Sequence, residues 1–196
     1  MIEELVARVF ALRNAAHLEH WATNSFSKHM ALGSFYDDII DKTDKLVEAV
    51  GSGKFDLVVV NYANSDMVGH TGELPAAIKA IEAIDVCLGR LTEAVKKAGG
   101  ALLVTADHGN SEQMFDEITG QKHTQHTLNR VPALLFNGPA NIHSLNDGKL
   151  ADVAPTMLAL MKVPQPPEMT GHSLLSEASR KAILAVPKTG AVAASA

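Results

Sequence analysis

The sequence predicts an α/β fold in which a parallel sheet is flanked by helices and preceded by an N-terminal helical hairpin. Three observations carry that expectation. The runs Phe55–Asn61 and Ala101–Thr105 are of strand length and apolar without polar alternation, the pattern of strands buried on both faces. Between them Leu74, Ala77, Ile78, Ile81, Ile84, Leu88, Leu91 and Val95 recur at helical spacing, so strand, helix and strand make a right-handed βαβ unit. The first 50 residues, by contrast, show only helical periodicity.

Taken in order, Ile2, Leu5, Val6, Val9 and Phe10 place a helix over residues 1 to about 22. Ile39, Ile40, Thr43, Leu46, Val47 and Val50 place another over residues 28 to 50. The polar link from Ala22 to Ser27 joins them, with Ser27 as a cap for the second. Of the nine aromatic residues, Phe10, Trp21, Phe26, Phe35 and Tyr36 fall in this part, which sets its composition apart from the rest of the chain. Gly51 and Gly53 break the helix before the strand Phe55–Asn61. A polar loop from Tyr62 to Gly72 leads to the long helix Leu74–Ala98, which Gly99 and Gly100 stop. After the strand Ala101–Thr105, the stretch from Glu112 to Gln125 is too long and too charged for a core element and reads as a site loop. Val131–Gly138 supplies a third strand. Asp152 is placed to cap a last helix containing Val153, Met157, Leu158 and Met161, with Pro155 in its tolerant first turn and Pro164, Pro166 and Pro167 ending it. From about Glu177 the composition predicts a flexible tail, disordered beyond Val186. The division expected is a hairpin of different origin over 1–42, an α/β metal-binding domain over 43–176 and a tail over 177–196.

The chain has 196 residues, 46% of them hydrophobic, which is enough for a real core. Its 17 Lys and Arg against 22 Asp and Glu give a net charge of -5, and no basic stripe favours a nucleic-acid partner. No apolar run is long enough to span a bilayer, and the N-terminus lacks the basic start and apolar middle of a signal peptide. Cys87 has no second cysteine to pair with; together these features lead to the expectation of a cytoplasmic protein without a membrane partner. Cys87 itself reads as helix core.

Chemistry concentrates at Asp66 with His70, at Asp107 with His108, and at His123 and His126. Each lies just after an apolar run or within the polar loop. Asp66 and His70 share one face if the chain turns helically there. Carboxylates and imidazoles without thiolates suit manganese, zinc or magnesium more than a structural zinc knot. Singly, each would read as a solvated loop residue; together, after successive strands, they read as a divalent-metal site.

The stretches Asn64-Ser-Asp-Met-Val-Gly-His-Thr-Gly72, Thr105-Ala-Asp-His-Gly-Asn-Ser-Glu-Gln113 and His123-Thr-Gln-His-Thr127 resemble the metal motifs of the cofactor-independent phosphoglycerate mutases, in the alkaline phosphatase superfamily. Leu150-Ala-Asp-Val-Ala-Pro-Thr156 and Pro164-Gln-Pro-Pro-Glu-Met-Thr-Gly171 extend the resemblance, which runs from about Thr43 to Leu175. It implies a partial alkaline-phosphatase-like domain and a pair of manganese ions, with zinc or magnesium as alternatives. Those ions would clamp a phosphoryl group while a serine takes it from one oxygen of phosphoglycerate and returns it to the other. Carried over by motif, Asp66, His70 and His126 would hold one ion, and Asp107 and His108 part of the shell of the other. His123 would stand outside the ligands. The family's nucleophilic serine, a further metal-binding aspartate and the basic residues that grip the substrate have no counterpart here, since Ser65 and Ser111 do not match the nucleophile's motif. The implied substrate is phosphoglycerate or another small phosphate ester, and mutase turnover by this chain alone is not expected.

Two other readings come from other classes. One is a non-catalytic metal-binding or scaffold fusion that keeps the fold and an ion. The other is an iron-binding module: His17, Glu19 and His20, ahead of a helix bearing Asp37, Asp41, Asp44 and Glu48, are similar to a helical pair of ferritin-like proteins, although such a stripe also suits a solvated face. A half-bundle exposes apolar faces, which leads to the expectation of a homo-oligomer through residues 1–50.

Overall fold

The computed structural model describes residues 32–140, 142 and 144–185. The first helix of the expected hairpin, with His17, Glu19 and His20, lies outside the described residues. In chain order the elements are α1 (Leu32–Gly51), α2 (Asn64–Gly69), α3 (Leu74–Lys97), β1 (Leu102–Thr105), β2 (Phe115–Asp116), β3 (Gln121–Lys122) and β4 (Ala133–Phe136). A 3-10 turn (Leu150–Asp152), α4 (Val153–Leu160) and α5 (Glu177–Ala185) complete them. They fall into two compact units, one made of residues up to Ala98 with His108–Asn129, the other of Gly99–Asp107 with the residues from Arg130 onward.

In the first unit α1 packs on α3. Ile39 and Thr43, one turn apart, form the buried face of α1. The Thr43 hydroxyl donates to the Ile39 carbonyl at 2.8 Å and lies 3.0 Å from the Tyr62 hydroxyl, so a fully buried polar group is satisfied. Burial pushes the Tyr62 phenol up from its ordinary range, against the opposing hydrogen bond to Thr43. α1 runs unbroken past residues 42 and 43. Its described acidic positions, Asp41, Asp44 and Glu48, are exposed, and Asp44 pairs with Arg90. α3 begins with Pro75 in its first turn and ends with Lys96 and Lys97 beside the carbonyl end. Gly99, at φ 71°, then takes the left-handed conformation that closes the helix.

The wide apolar stripe of α3 is not all interior. Its buried row is Ala77, Ala80, Cys87, Leu91 and Val95, while Leu74, Ile78 and Ile81 are exposed. The row is buried where small side chains let neighbours approach: Ala77 and Ala80 form one cluster with Val68 of α2 and Met114.

The mixed helix and strand class is the one expected, but the strand pairing differs. β1 and β4 pair antiparallel, Leu102 opposite Phe136 and Thr105 opposite Ala133. An apolar run reports burial, not direction, so the sequence could not distinguish this from a parallel pair. Phe55–Asn61 joins no ladder among the described residues, and Phe55, Val59 and Val60 are exposed. β-propensity reflects fit to a neighbouring strand, and no described strand pairs with this run, so the expected hydrogen-bonded βαβ unit is not formed there. No helix among the described residues is long and apolar enough to cross a membrane.

In the second unit Asp152 does not cap α4 with its side chain, as the sequence suggested. Its carboxylate instead accepts the N–H of Lys149 at 2.9 Å and of His172 at 2.8 Å. Thr156, fully buried, donates to the Asp152 carbonyl and accepts the Leu174 N–H. Both side chains are thus spent tying α4 to the segment around 172–174. Gly171 lies so close to the Ala151 carbonyl that a Cβ there would collide with backbone. Pro155 is buried in the first turn of α4, as expected. Lys162, at φ 56°, follows the end of α4 just ahead of Pro164. Of the tail expected from Glu177, the part through Ala185 is helical, because Ser176 accepts the Ser179 N–H at 3.1 Å and Ile183 is buried, and the disorder expected beyond Val186 lies outside the described residues.

Hydrogen bonds from the His172 and Lys149 amides hold the Asp152 carboxyl below its ordinary range. The unfolded chain then binds the proton more tightly. Stability from this group is full above the usual carboxylate pKa of about 4 and drains away as pH falls through the depressed value. Asp152→Asn should lower Tm at neutral pH and flatten the acid limb of Tm against pH below about 4. Equal melting curves for variant and parent from pH 3 to 7 would refute this role.

Candidate metal centre

α2 is a single short turn whose Asn64, Val68 and Gly69 face inward. That burial orients the helix, and the four-residue spacing then sets Asp66 and His70 side by side, 3.3 Å apart between Oδ1 and Nε2. The His70 Nδ1 lies 2.8 Å from the Thr124 carbonyl oxygen. A carbonyl oxygen only accepts, so at this distance Nδ1 is the donor, and Nε2 is the ring nitrogen turned towards Asp66. His126 brings its Nε2 to 3.1 Å from that of His70 and 3.1 Å from Asp66 Oδ1. His108 Nε2 stands 4.0 Å from the same oxygen, and its ring stacks on His126 with centroids 3.7 Å apart. Ligand atoms of Asp66, His108 and His126 all lie within 4.8 Å of one another.

Of the residues singled out by sequence, the structure therefore brings Asp66, His70, His108 and His126 together. Asp107 is exposed and belongs to the other compact unit. Among the described residues His123 has a buried Nδ1 with no hydrogen-bond partner, and it is not in the cluster. The donor set fits a divalent ion. Imidazole nitrogens and a carboxylate oxygen converge on one point, and lone pairs this close repel unless a proton or a cation lies among them. The four side chains are between 29% and 50% exposed, so an ion can reach them from solvent.

The loop that delivers His108 and His126 is held by side chains more than by regular structure. The Thr127 N–H donates to the Gly109 carbonyl at 2.8 Å. Glu112 accepts the Asn110 N–H at 2.6 Å, the Thr127 hydroxyl, and the Asn129 amide at 3.0 Å. Desolvation pushes its carboxyl up, but the hydrogen bonds from Thr127, Asn129 and the backbone outweigh it and hold the group below the ordinary range. Asp116 closes the β2–β3 turn by accepting the Ile118 and Thr119 amides; hydrogen bonds from Thr119 and Ile118 hold its carboxyl down as well. The stretch read as a site loop thus contains a small hairpin. Asn110 donates to Asp66 Oδ1 at 2.7 Å, and the Ser111 hydroxyl donates to the Ser65 carbonyl at 2.6 Å. Residue-type reasoning singled out no role for Asn110, Glu112 or Thr127; the signal available was a cluster of turn-forming polar residues directly after His108.

A family model described as the Metalloenzyme superfamily matches residues 33–165. The chain belongs to the Metalloenzyme superfamily. The match begins inside α1, ten residues before the resemblance read from the motifs. The chain is 62% identical over 134 residues to a 2,3-bisphosphoglycerate-independent phosphoglycerate mutase of Ruegeria pomeroyi, covering 68% of this chain and 26% of the relative. It is 59% identical over 133 residues to the same kind of enzyme from Psychrobacter arcticus, covering 68% and 24%. The crystal structure of Leishmania mexicana phosphoglycerate mutase at low cobalt concentration superimposes with a TM-score of 0.64 at 33% identity, over 70% of this chain and 28% of that one. The chain thus spans about a quarter of the length of the curated relatives it matches.

Glu112→Ala removes three acceptor contacts from the loop at once. It should abolish the hydrogen-exchange protection of the Asn110 and Thr127 amides and lower Tm, while exchange in α4 is unchanged. Retained protection at Asn110 would show that Glu112 does not hold the loop.

Proposed function

We propose that this chain is a divalent-metal-binding domain of phosphoglycerate mutase type that holds a manganese ion through Asp66, His70 and His126. On the same reading Asp107 and His108 belong to the shell of a second ion, with zinc or magnesium as alternative metals. The observation that supports this best is the convergence of the Asp66 oxygen and the His70 and His126 Nε2 atoms within 3.3 Å of one another. Sequence identity to mutases through these motifs, and a structural relative solved at low cobalt concentration, point the same way. His108 lies within the cluster and is adjacent in sequence to Asp107, as a ligand near a second ion would be.

A bound divalent ion of this kind polarises a phosphoryl oxygen and neutralises developing charge. The residues' own work is to bind and orient. The Thr124 carbonyl orients the His70 ring through Nδ1, and Asp66 supplies a carboxylate oxygen beside the imidazole nitrogens. The substrate class is a small phosphate ester, phosphoglycerate in particular. The chain by itself binds metal without mutase turnover. No serine here matches the family's nucleophile, and the Ser111 hydroxyl proton is committed to the Ser65 carbonyl.

Titration calorimetry of the full chain with manganese tests this directly. The parent should bind. Asp66→Asn and His126→Ala should each lose more affinity than the roughly 10–100-fold that outer-shell changes cost, and 3-phosphoglycerate should not be converted. Failure to bind manganese, zinc or magnesium would overturn the metal reading. Conversion of 3-phosphoglycerate by the chain alone would overturn the claim that it lacks a nucleophile.

A further inference from the structure

We propose that Asn110 is a positioning residue for the metal centre, acting through Asp66, and that residue 69 is glycine because the Asn110 amide needs the space of its Cβ. The inference rests on the proposed metal binding by Asp66, His70 and His126.

The Asn110 Nδ2 donates to two oxygens of one residue, Asp66 Oδ1 at 2.7 Å and the Asp66 carbonyl at 3.2 Å. Two acceptors settle which way the amide points, since a flipped amide would set oxygen against both. The pair of bonds grips the carboxylate and its own backbone together, so the side chain of Asp66 cannot rotate without losing one of them. The gripped atom matters. Asp66 Oδ1 is the oxygen that stands 3.1 Å from His126 Nε2 and 3.3 Å from His70 Nε2. One of its lone pairs is taken by Asn110, and the imidazole side is left to the other.

This orientation carries a cost that the structure displays. Among the described residues the Asn110 Oδ1 has no hydrogen-bond partner, and it is buried in a residue only 5% exposed. It points at Gly69, where a Cβ would collide with it outright, lie 2.7 Å from Cγ and 3.0 Å from the Ser111 hydroxyl. Gly69 has no left-handed backbone to explain it; it sits in α2, where alanine is the better helix former. The glycine is explained by space alone. The Asn110 backbone is anchored from the other side by Glu112, which accepts its N–H at 2.6 Å.

A double-mutant cycle on the full chain, read as manganese affinity by calorimetry and as Tm without metal, tests the proposal. Asn110→Ala should weaken manganese about 10–100-fold, the range for lost outer-shell partners. Gly69→Ala should weaken it similarly by displacing the amide. The double variant should be no worse than Asn110→Ala, because the added methyl then meets no amide. Should Asn110→Ala fail to fold, Gly69→Ala carries the test, since it keeps every polar group and favours the helix. A parent that binds manganese alongside variants that bind it equally, with only Tm changed, would overturn the inference alone. Additive losses in the double variant would also overturn it. A parent that binds no metal would overturn the inference and the reading beneath it.

Discussion

The seating of α2 on α3 is the contact on which the candidate metal centre depends. Ala77 and Ala80 of α3 form a buried cluster with Val68 of α2, and Met114 joins it from the polar loop. With Val68 and Gly69 turned inward, α2 has one choice of outward face, and Asp66 and His70 are on it. The same cluster fixes the start of the loop that returns with His126. Packing therefore sets these side chains next to one another before any electrostatic attraction among them is considered.

Beyond that packed base, the chain relies on polar side chains that satisfy backbone groups. In the first unit Glu112 gathers an amide N–H, a hydroxyl and a side-chain amide, and Asp116 closes a turn. In the second unit Asp152 and Thr156 join a helix to the segment around 172–174. Each replaces a stretch of regular ladder with a few hydrogen bonds, those to the carboxylates being of the stronger, charge-assisted class. This explains why a loop of about twenty residues can hold imidazoles in register with only a hairpin of two-residue strands inside it.

Legibility in the sequence divides along the same line. Helices announced themselves: α3 lies within a residue of its expected limits because Pro75, the apolar period and Gly99 punctuate it. The convergence of Asp66, His70, His108 and His126 was legible because aspartate and histidine after apolar runs carry recognisable chemistry. Strand direction was not legible, since Leu102–Thr105 would look the same in either pairing, and Phe55–Asn61 is an apolar run that finds no strand to pair with among the described residues. Helix α5 was missed because the tail's small residues masked a cap at Ser176 and a single buried anchor at Ile183. Asn110 and Gly69 escaped for a different reason. Their roles consist of a contact between residues far apart in sequence, which no local pattern encodes.

The proposed metal binding requires that imidazole nitrogens of this cluster, with Asp66, coordinate a divalent ion. Pulsed electron paramagnetic resonance on manganese bound to the full chain, with histidine labelled by nitrogen-15, measures it directly. The expected result is coupling of the ion to more than one histidine nitrogen, with one coupling lost in His70→Ala. A manganese signal coupled to no histidine nitrogen would contradict it.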